Sequence, residues 1–310
     1  MPTPIISRRH ALIAGAALPF LSSLGATPAQ ATAPLQGSAF APFHRFKLGA
    51  FEVTALLAGT RSSDKPQETF GLNATPEEFA AAAAAAFIPA DKTQNFFTPT
   101  LVNTGAELIL FDTGLNAEGT GAALTAAGIS PDQVDVVVLT HMHGDHIGGM
   151  LTGEAATFGN ARYVTGAVEH NHWSGAANEG FDKNIKPFND KITFLDDGGA
   201  VASGITAMAA FGHSPGHMTY MLESNGQRLA LTADTANHYV WSLAHPDWEV
   251  RFDADKPAAA AVRKSVFGML AADKIPFIGY HMPFPALGYV ETAGSGFRYV
   301  PASYQMMLNG

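Results

Sequence analysis

The chain contains no cysteine. Disulfides, thiolate nucleophiles and cysteine-ligated zinc or iron–sulfur sites are therefore excluded. Charge is also scarce: Asp, Glu, Lys and Arg make up 15% of the 310 residues, against about 25% in ordinary globular chains. The net charge is −9, and the first 31 residues carry two of the arginines and no acid, so the remainder is more acidic still. A nucleic-acid binder needs a basic face to neutralise phosphates, and none is present. Long hydrophobic runs are missing as well. The apolar run of residues 11–24 stops short of the about 20 residues that span a bilayer, and no later segment reads as transmembrane. Disorder is excluded by a 47% hydrophobic content. What the chain has in quantity is glycine (31), proline (19) and histidine (12).

The opening MPTPIISRRHALIAGAALPFLSSLGATPAQA sets a polar start with Arg8 and Arg9 before the apolar run, then small residues ending Ala29-Gln30-Ala31. This order predicts an export signal over residues 1–31, cut after Ala31, and hence a periplasmic or secreted protein. Ser7-Arg8-Arg9 is similar to a twin-arginine signal, a route that exports folded proteins and suits one that loads metal before export. No linker divides residues 32–310, which read as a single domain.

Strand and helix signals alternate along that domain. Strands are expected over residues 51–57, 100–103, 108–111, 134–139, 163–165, 192–195, 205–209, 219–222, 228–232 and 276–280. Helices are expected over residues 80–86, 121–127 and 256–270, with another running to about Trp173. The run VDVVVL at 134–139 is continuously apolar and β-branched, the mark of a strand buried on both faces. Strands followed by a helix, twice over, imply two sheet-plus-helix halves packed face to face.

Directly after that strand comes THMHGDHIGGM, residues 140–150. Side chains two apart on a strand share one face, so His141 and His143 point together at one ion. The turn then swings Asp145 and His146 towards a second, with Gly144, Gly148 and Gly149 permitting a tight backbone. A zinc site needs about four ligands, so others must come from elsewhere. GHSPGH at 212–217 offers His213 and His217, LTAD at 231–234 ends a strand with Asp234, and GYHMPFP at 279–285 carries His281.

These motifs together resemble the metallo-β-lactamase fold of metal-dependent hydrolases, over most of the chain from FEVTALLAGT onward. FEVTAL, LVNTG, HMPFPALGYV and GFRYVP are more narrowly similar to its methyl parathion hydrolase branch, which includes relatives acting on lactones and aryl esters. The resemblance implies a four-layer αββα sandwich of the α+β class. It implies His141, His143 and His217 on one metal, Asp145, His146 and His281 on the other, and Asp234 bridging, with His213 in a supporting place. Asp112 in FDTG would hold a metal-binding histidine. The ions would be divalent, zinc foremost, with Mn2+, Co2+ or Fe2+ also suited to imidazole and carboxylate ligands.

The implied activity is hydrolysis of a lactone or aryl ester by a hydroxide shared between two ions, positioned by Asp145 and Asp234, with organophosphotriester cleavage as a side activity. A β-lactamase and a non-catalytic metal-binding protein are the alternatives. Phe96, Phe97, Trp173 and Trp241 are candidates for the pocket wall around a small-molecule substrate. The likeness also allows a homodimer.

Overall fold

The computed structural model describes Leu35 and residues 37–308; the expected export signal lies outside the described residues. The compact body begins at Phe40. In chain order it contains β1 (Phe43–Leu48), β2 (Phe51–Leu56), β3 (Gly59–Asp64), α1 (Pro76–Ala85), β4 (Lys92–Phe97), β5 (Thr100–Asn103), β6 (Leu108–Phe111), α2 (Ala117–Ala126), β7 (Val136–Leu139) and the one-turn α3 (Gly144–Ile147). The hairpin β8 (Leu151–Thr152) and β9 (Ala155–Ala156) leads to β10 (Arg162–Gly166), α4 (Ala167–Gly175), α5 (Glu179–Asn184) and β11 (Ile192–Leu195). The second half runs through β12 (Ala200–Ala202), β13 (Ile205–Ala209), β14 (Met218–Ser224), β15 (Gln227–Ala233), α6 (Lys256–Asp273), β16 (Phe277–Gly279), β17 (Leu287–Ala293) and β18 (Gly296–Pro301).

Two seven-stranded mixed sheets result, in the orders β1-β2-β5-β6-β7-β10-β11 and β12-β13-β14-β15-β16-β17-β18. Strand β7 shows how the layers form. Val136 and Val138 enter the core between the sheets with Tyr220 and Leu231, while Val137 and Leu139 face Leu124 of α2 and Phe181 of α5 on the other side. A strand buried on both faces has no polar position to spare, which is why its sequence reads as an unbroken apolar run. Helix α6 sends Phe267 and Leu270 towards Phe277 and Phe297 of the second sheet. The architecture is the expected αββα sandwich.

In each sheet one parallel pair sets up the site. β6 lies parallel to β7, and β15 parallel to β16. Parallel neighbours bring their C-terminal ends to the same edge, where ligands of α/β sheets collect. Asp112 follows β6, His141 follows β7, Asp234 follows β15 and His281 follows β16. A separate two-stranded antiparallel ribbon of β3 and β4, with α1 in the connection between them, stands beside this edge. Among the described residues no helix is long and apolar enough to cross a membrane.

Candidate metal centre

The turn after β7 carries His141, Met142 and His143 in extended alternation. Met142 turns into the layer under α2 and α5, leaving the two imidazoles on the opposite side. Helix α3 then brings Asp145 and His146 round. Its end is pressed against residues 113–115: a Cβ on Gly148 would collide with the Leu115 carbonyl, and one on Gly149 with the Thr113 carbonyl. Gly144 has open space around it, so the tight backbone expected of all three glycines is a requirement of two.

Four histidines share one arrangement. Thr140 Oγ1, itself donating to Asp112 Oδ2 at 2.9 Å, lies 3.1 Å from His141 Nδ1. His146 Nδ1 lies 2.8 Å from Asp112 Oδ2, His213 Nδ1 2.9 Å from Asp253 Oδ1 and His281 Nδ1 2.8 Å from the Phe96 carbonyl. An acceptor at Nδ1 fixes the proton there and leaves the Nε2 lone pair for a cation. Those Nε2 atoms converge. His141 Nε2 and His213 Nε2 each lie 3.0 Å from His143 Nδ1. Asp234 places Oδ1 3.1 Å from His146 Nε2, and Oδ2 3.3 Å from His213 Nε2 and 3.1 Å from His281 Nε2. Asp145 Oδ2 is 3.3 Å from His281 Nε2 and 3.8 Å from His146 Nε2.

Three overlapping sets therefore have their ligand atoms within 4.8 Å of one another: His141, His143 and His213; His141, His146 and Asp234; Asp145, His146 and His281. His146 Nε2 and Asp234 Oδ1 are both buried with no hydrogen-bond partner among the described residues, although 3.1 Å apart. Two sealed lone-pair atoms facing each other without hydrogen-bond alignment leave a polar debt that a cation settles. Imidazoles with hard carboxylates suit divalent ions, and the residues present fit two of them.

The electrostatics agree. Burial, then the neighbouring imidazoles of His146 and His143, hold His141 well below the usual imidazole range. Burial and His213 bring His143 down to about 4. Burial also opposes charge on His281, but Asp234 and Asp145 outweigh it and push the group up to about 10. His146 is likewise raised well above its ordinary value, burial being overcome by Asp234, Asp112 and Asp145. Asp145 and Asp234 stay well below the carboxylate range despite burial, because His146 and His281 face them. The carboxylates thus demand positive charge at this place.

One expected residue is displaced. His217 is not in the cluster: its Nε2 accepts from the Asp234 backbone N–H at 3.1 Å and its Nδ1 faces the Ala210 carbonyl at 3.2 Å. Both ring nitrogens are committed to backbone, and burial lowers the group to about 3. His213, expected in a supporting place, stands in its stead. Asp112 sits where the resemblance implied, its oxygens taken by the Thr140 N–H, the Thr140 hydroxyl and His146.

The cluster floors a cavity of about 540 Å³ lined by Arg61, Asn95, Phe70, Phe97, Leu115 and Phe252 among others. Of the four aromatic residues expected on its wall, only Phe97 lines it. Phe96 and Trp241 border a neighbouring chamber of about 370 Å³, Trp241 being fully buried and stacked on Phe79. Trp173 donates its indole N–H to Glu169 at 2.7 Å and meets His143 edge-on. Sequence reasoning missed three supports. Asp253 holds His213 and is paired with the buried Arg263 of α6 at 2.9 Å. Tyr280 lies against the His146 ring and donates to the Asp145 carbonyl. Glu169 is fully buried between the histidine loops. Asp253 and Glu169 lie outside every motif and reach the site only through folding, while Tyr280 stands next to His281 in GYHMPFP, where nothing in the string marks its role.

Comparison with protein-family models matches residues 98–273 to the metallo-beta-lactamase superfamily, more than half of the chain. The chain belongs to the metallo-beta-lactamase superfamily. Among solved structures, a dizinc quorum-quenching lactonase, AidC, in complex with a product, superposes with a TM-score of 0.79 at 27% identity, over 85% of this chain and 98% of that one. The hydrolase AbOPH of the beta-lactamase superfamily superposes with a TM-score of 0.79 at 23% identity, over 86% and 100% of the two chains, and at that identity shows the fold alone. A stretch of 66 residues is 38% identical to ribonuclease Z of Clostridium beijerinckii, spanning 21% of this chain and 20% of that enzyme's length. As a metal-dependent hydrolase of this superfamily, the chain has the histidine and carboxylate cluster for two divalent ions.

Proposed function

We propose that this chain hydrolyses a lactone or aryl ester at a dinuclear zinc centre, with organophosphotriester cleavage as a side activity, and that it lies in the methyl parathion hydrolase-like branch. The observation that carries the reading is the set of Nε2 atoms of His141, His146, His213 and His281, each backed by an acceptor at Nδ1 and all turned towards Asp234. Two divalent ions held there supply a nucleophilic water at neutral pH and positive charge for the attacked oxygen.

The chain's own residues do the rest. His141, His143 and His213 form one ligand set, and Asp145, His146 and His281 the other. Asp234 lies between them, with Oδ1 against His146 and Oδ2 against both His213 and His281. Asp145 lines the cavity, so its carboxylate is in reach of an attacking water; it takes the water's proton and returns it to the departing oxygen. Phe70, Phe97, Leu115 and Phe252 give the cavity an apolar wall, which suits a neutral ester with an apolar body. The likeness to a dizinc lactonase, 27% identical over 98% of its length, supports the lactone.

The test is a panel of a lactone, an aryl ester, a phosphotriester and a chromogenic β-lactam, assayed before chelation, after it, and after zinc is restored. Lactone or aryl-ester turnover that vanishes with the metal and returns with it is expected. Turnover that survives metal removal, or activity confined to the β-lactam, contradicts the reading.

A further inference from the structure

The first turn of helix α4 carries Glu169, a carboxylate that belongs to neither ligand set. Glu169 has no solvent exposure, and both its oxygens are occupied. Oε1 accepts from the Met142 backbone N–H at 2.9 Å and the Trp173 indole N–H at 2.7 Å. Oε2 accepts from the Gly216 backbone N–H at 2.8 Å and from the Ser214 hydroxyl. All four partners are uncharged donors, the complement of a carboxylate and of no other side chain. A buried carboxylate without a cation is retained only where its hydrogen bonds are complete.

Three of the four donors fall on two loops, and the fourth, Trp173, is on α4 itself. Met142 lies between His141 and His143 at the end of β7 in the first sheet. Ser214 and Gly216 follow His213 in the connection between β13 and β14 of the second. The second loop rides directly on α4: a Cβ on Gly216 would strike the Glu169 backbone. Trp173, one helical turn on, adds a second route, since its ring meets His143 edge-on with centroids 5.9 Å apart. Among the described residues, His141, His143 and His213 are also the one candidate ligand set made only of imidazoles.

We propose that Glu169 is a positioning residue that clasps the two histidine loops and fixes His143 and His213 at the spacing a shared cation needs. The proposal rests on the dinuclear reading above. A glutamine is a poor substitute for the carboxylate, because its amide nitrogen would oppose the Met142 and Trp173 N–H donors in one orientation and the Gly216 N–H in the other. An aspartate is one methylene too short to reach both loops.

The experiment titrates the metal-free full chain with Co2+, followed by visible absorption and by competition with a chromophoric chelator. Wild type, Glu169→Gln and His213→Ala are compared. Wild type is expected to bind two ions. Glu169→Gln should weaken one of them by roughly tenfold to a hundredfold and leave the other unchanged, and the absorption band lost should be the one lost in His213→Ala. Ser214→Ala and Trp173→Phe each delete one donor and should weaken the same ion by smaller factors; they carry the test if Glu169→Gln does not fold. Wild-type affinity for both ions in Glu169→Gln, Ser214→Ala and Trp173→Phe, or equal weakening of both, overturns the clasp and leaves the metal centre standing. A wild-type chain that binds no Co2+ removes the metal centre itself and the clasp with it.

Discussion

His213 and His217 are four positions apart in GHSPGH, and what separates them is what their ring nitrogens face. His217 immediately precedes β14, where the ladder draws it between the Ala210 carbonyl and the Asp234 N–H. His213 sits further out on the loop, tethered at Nδ1 by Asp253. Nothing in the six letters distinguishes the two, because the deciding groups lie as far as 40 residues away in sequence. The assignment makes a direct prediction. His213→Ala loses one bound ion by elemental analysis. His217→Ala keeps both and loses stability instead, by about 1–3 kcal/mol for the backbone groups left unpaired, read from urea unfolding. Loss of an ion in His217→Ala with both retained in His213→Ala would reverse the assignment.

The elements legible in the sequence are those whose burial imposes a pattern. β5, β6, β11 and β13 match the expected residues end to end. For β7, burial on both faces wrote VVVL. The β3–β4 ribbon leaves no signal in the sequence, since GTRSSD and KTQNFF alternate in no consistent way and β3 is mostly exposed; yet that ribbon supplies Arg61, Asn95 and Phe97 to the cavity. Three of the four aromatic candidates, Phe96, Trp173 and Trp241, lie off the cavity wall for a related reason: composition places large rings near a pocket but does not say which face of a strand or helix carries them. The one-turn α3 is held by contact rather than by propensity, with its end packed on residues 113–115. Gly149→Ala is therefore expected to cost about 1–3 kcal/mol, because the new methyl must push a backbone carbonyl aside. Gly144→Ala, with free space around it, should leave stability unchanged or raise it by up to about 1 kcal/mol. Thermal unfolding of the two variants compares them, and equal midpoints would contradict the packing argument.

On the scale of the whole molecule, the candidate ligands divide between the sheets. His141, His143, Asp145 and His146 follow β7 of the first; His213, Asp234 and His281 belong to loops of the second. A cation binding the folded arrangement ties the halves together, and the linkage is worth about 2.7 kcal/mol per site when free ion exceeds its Kd a hundredfold. Chelation should accordingly lower the unfolding midpoint, and restored zinc should recover it; a midpoint indifferent to both would mean that no ion bridges the sheets. The most direct measurement is anomalous X-ray scattering at the zinc edge from crystals of the zinc-loaded full chain. Two peaks are predicted, one among His141, His143 and His213, the other among Asp145, His146 and His281, with Asp234 touching both. A single peak, or density centred on His217, would contradict the account.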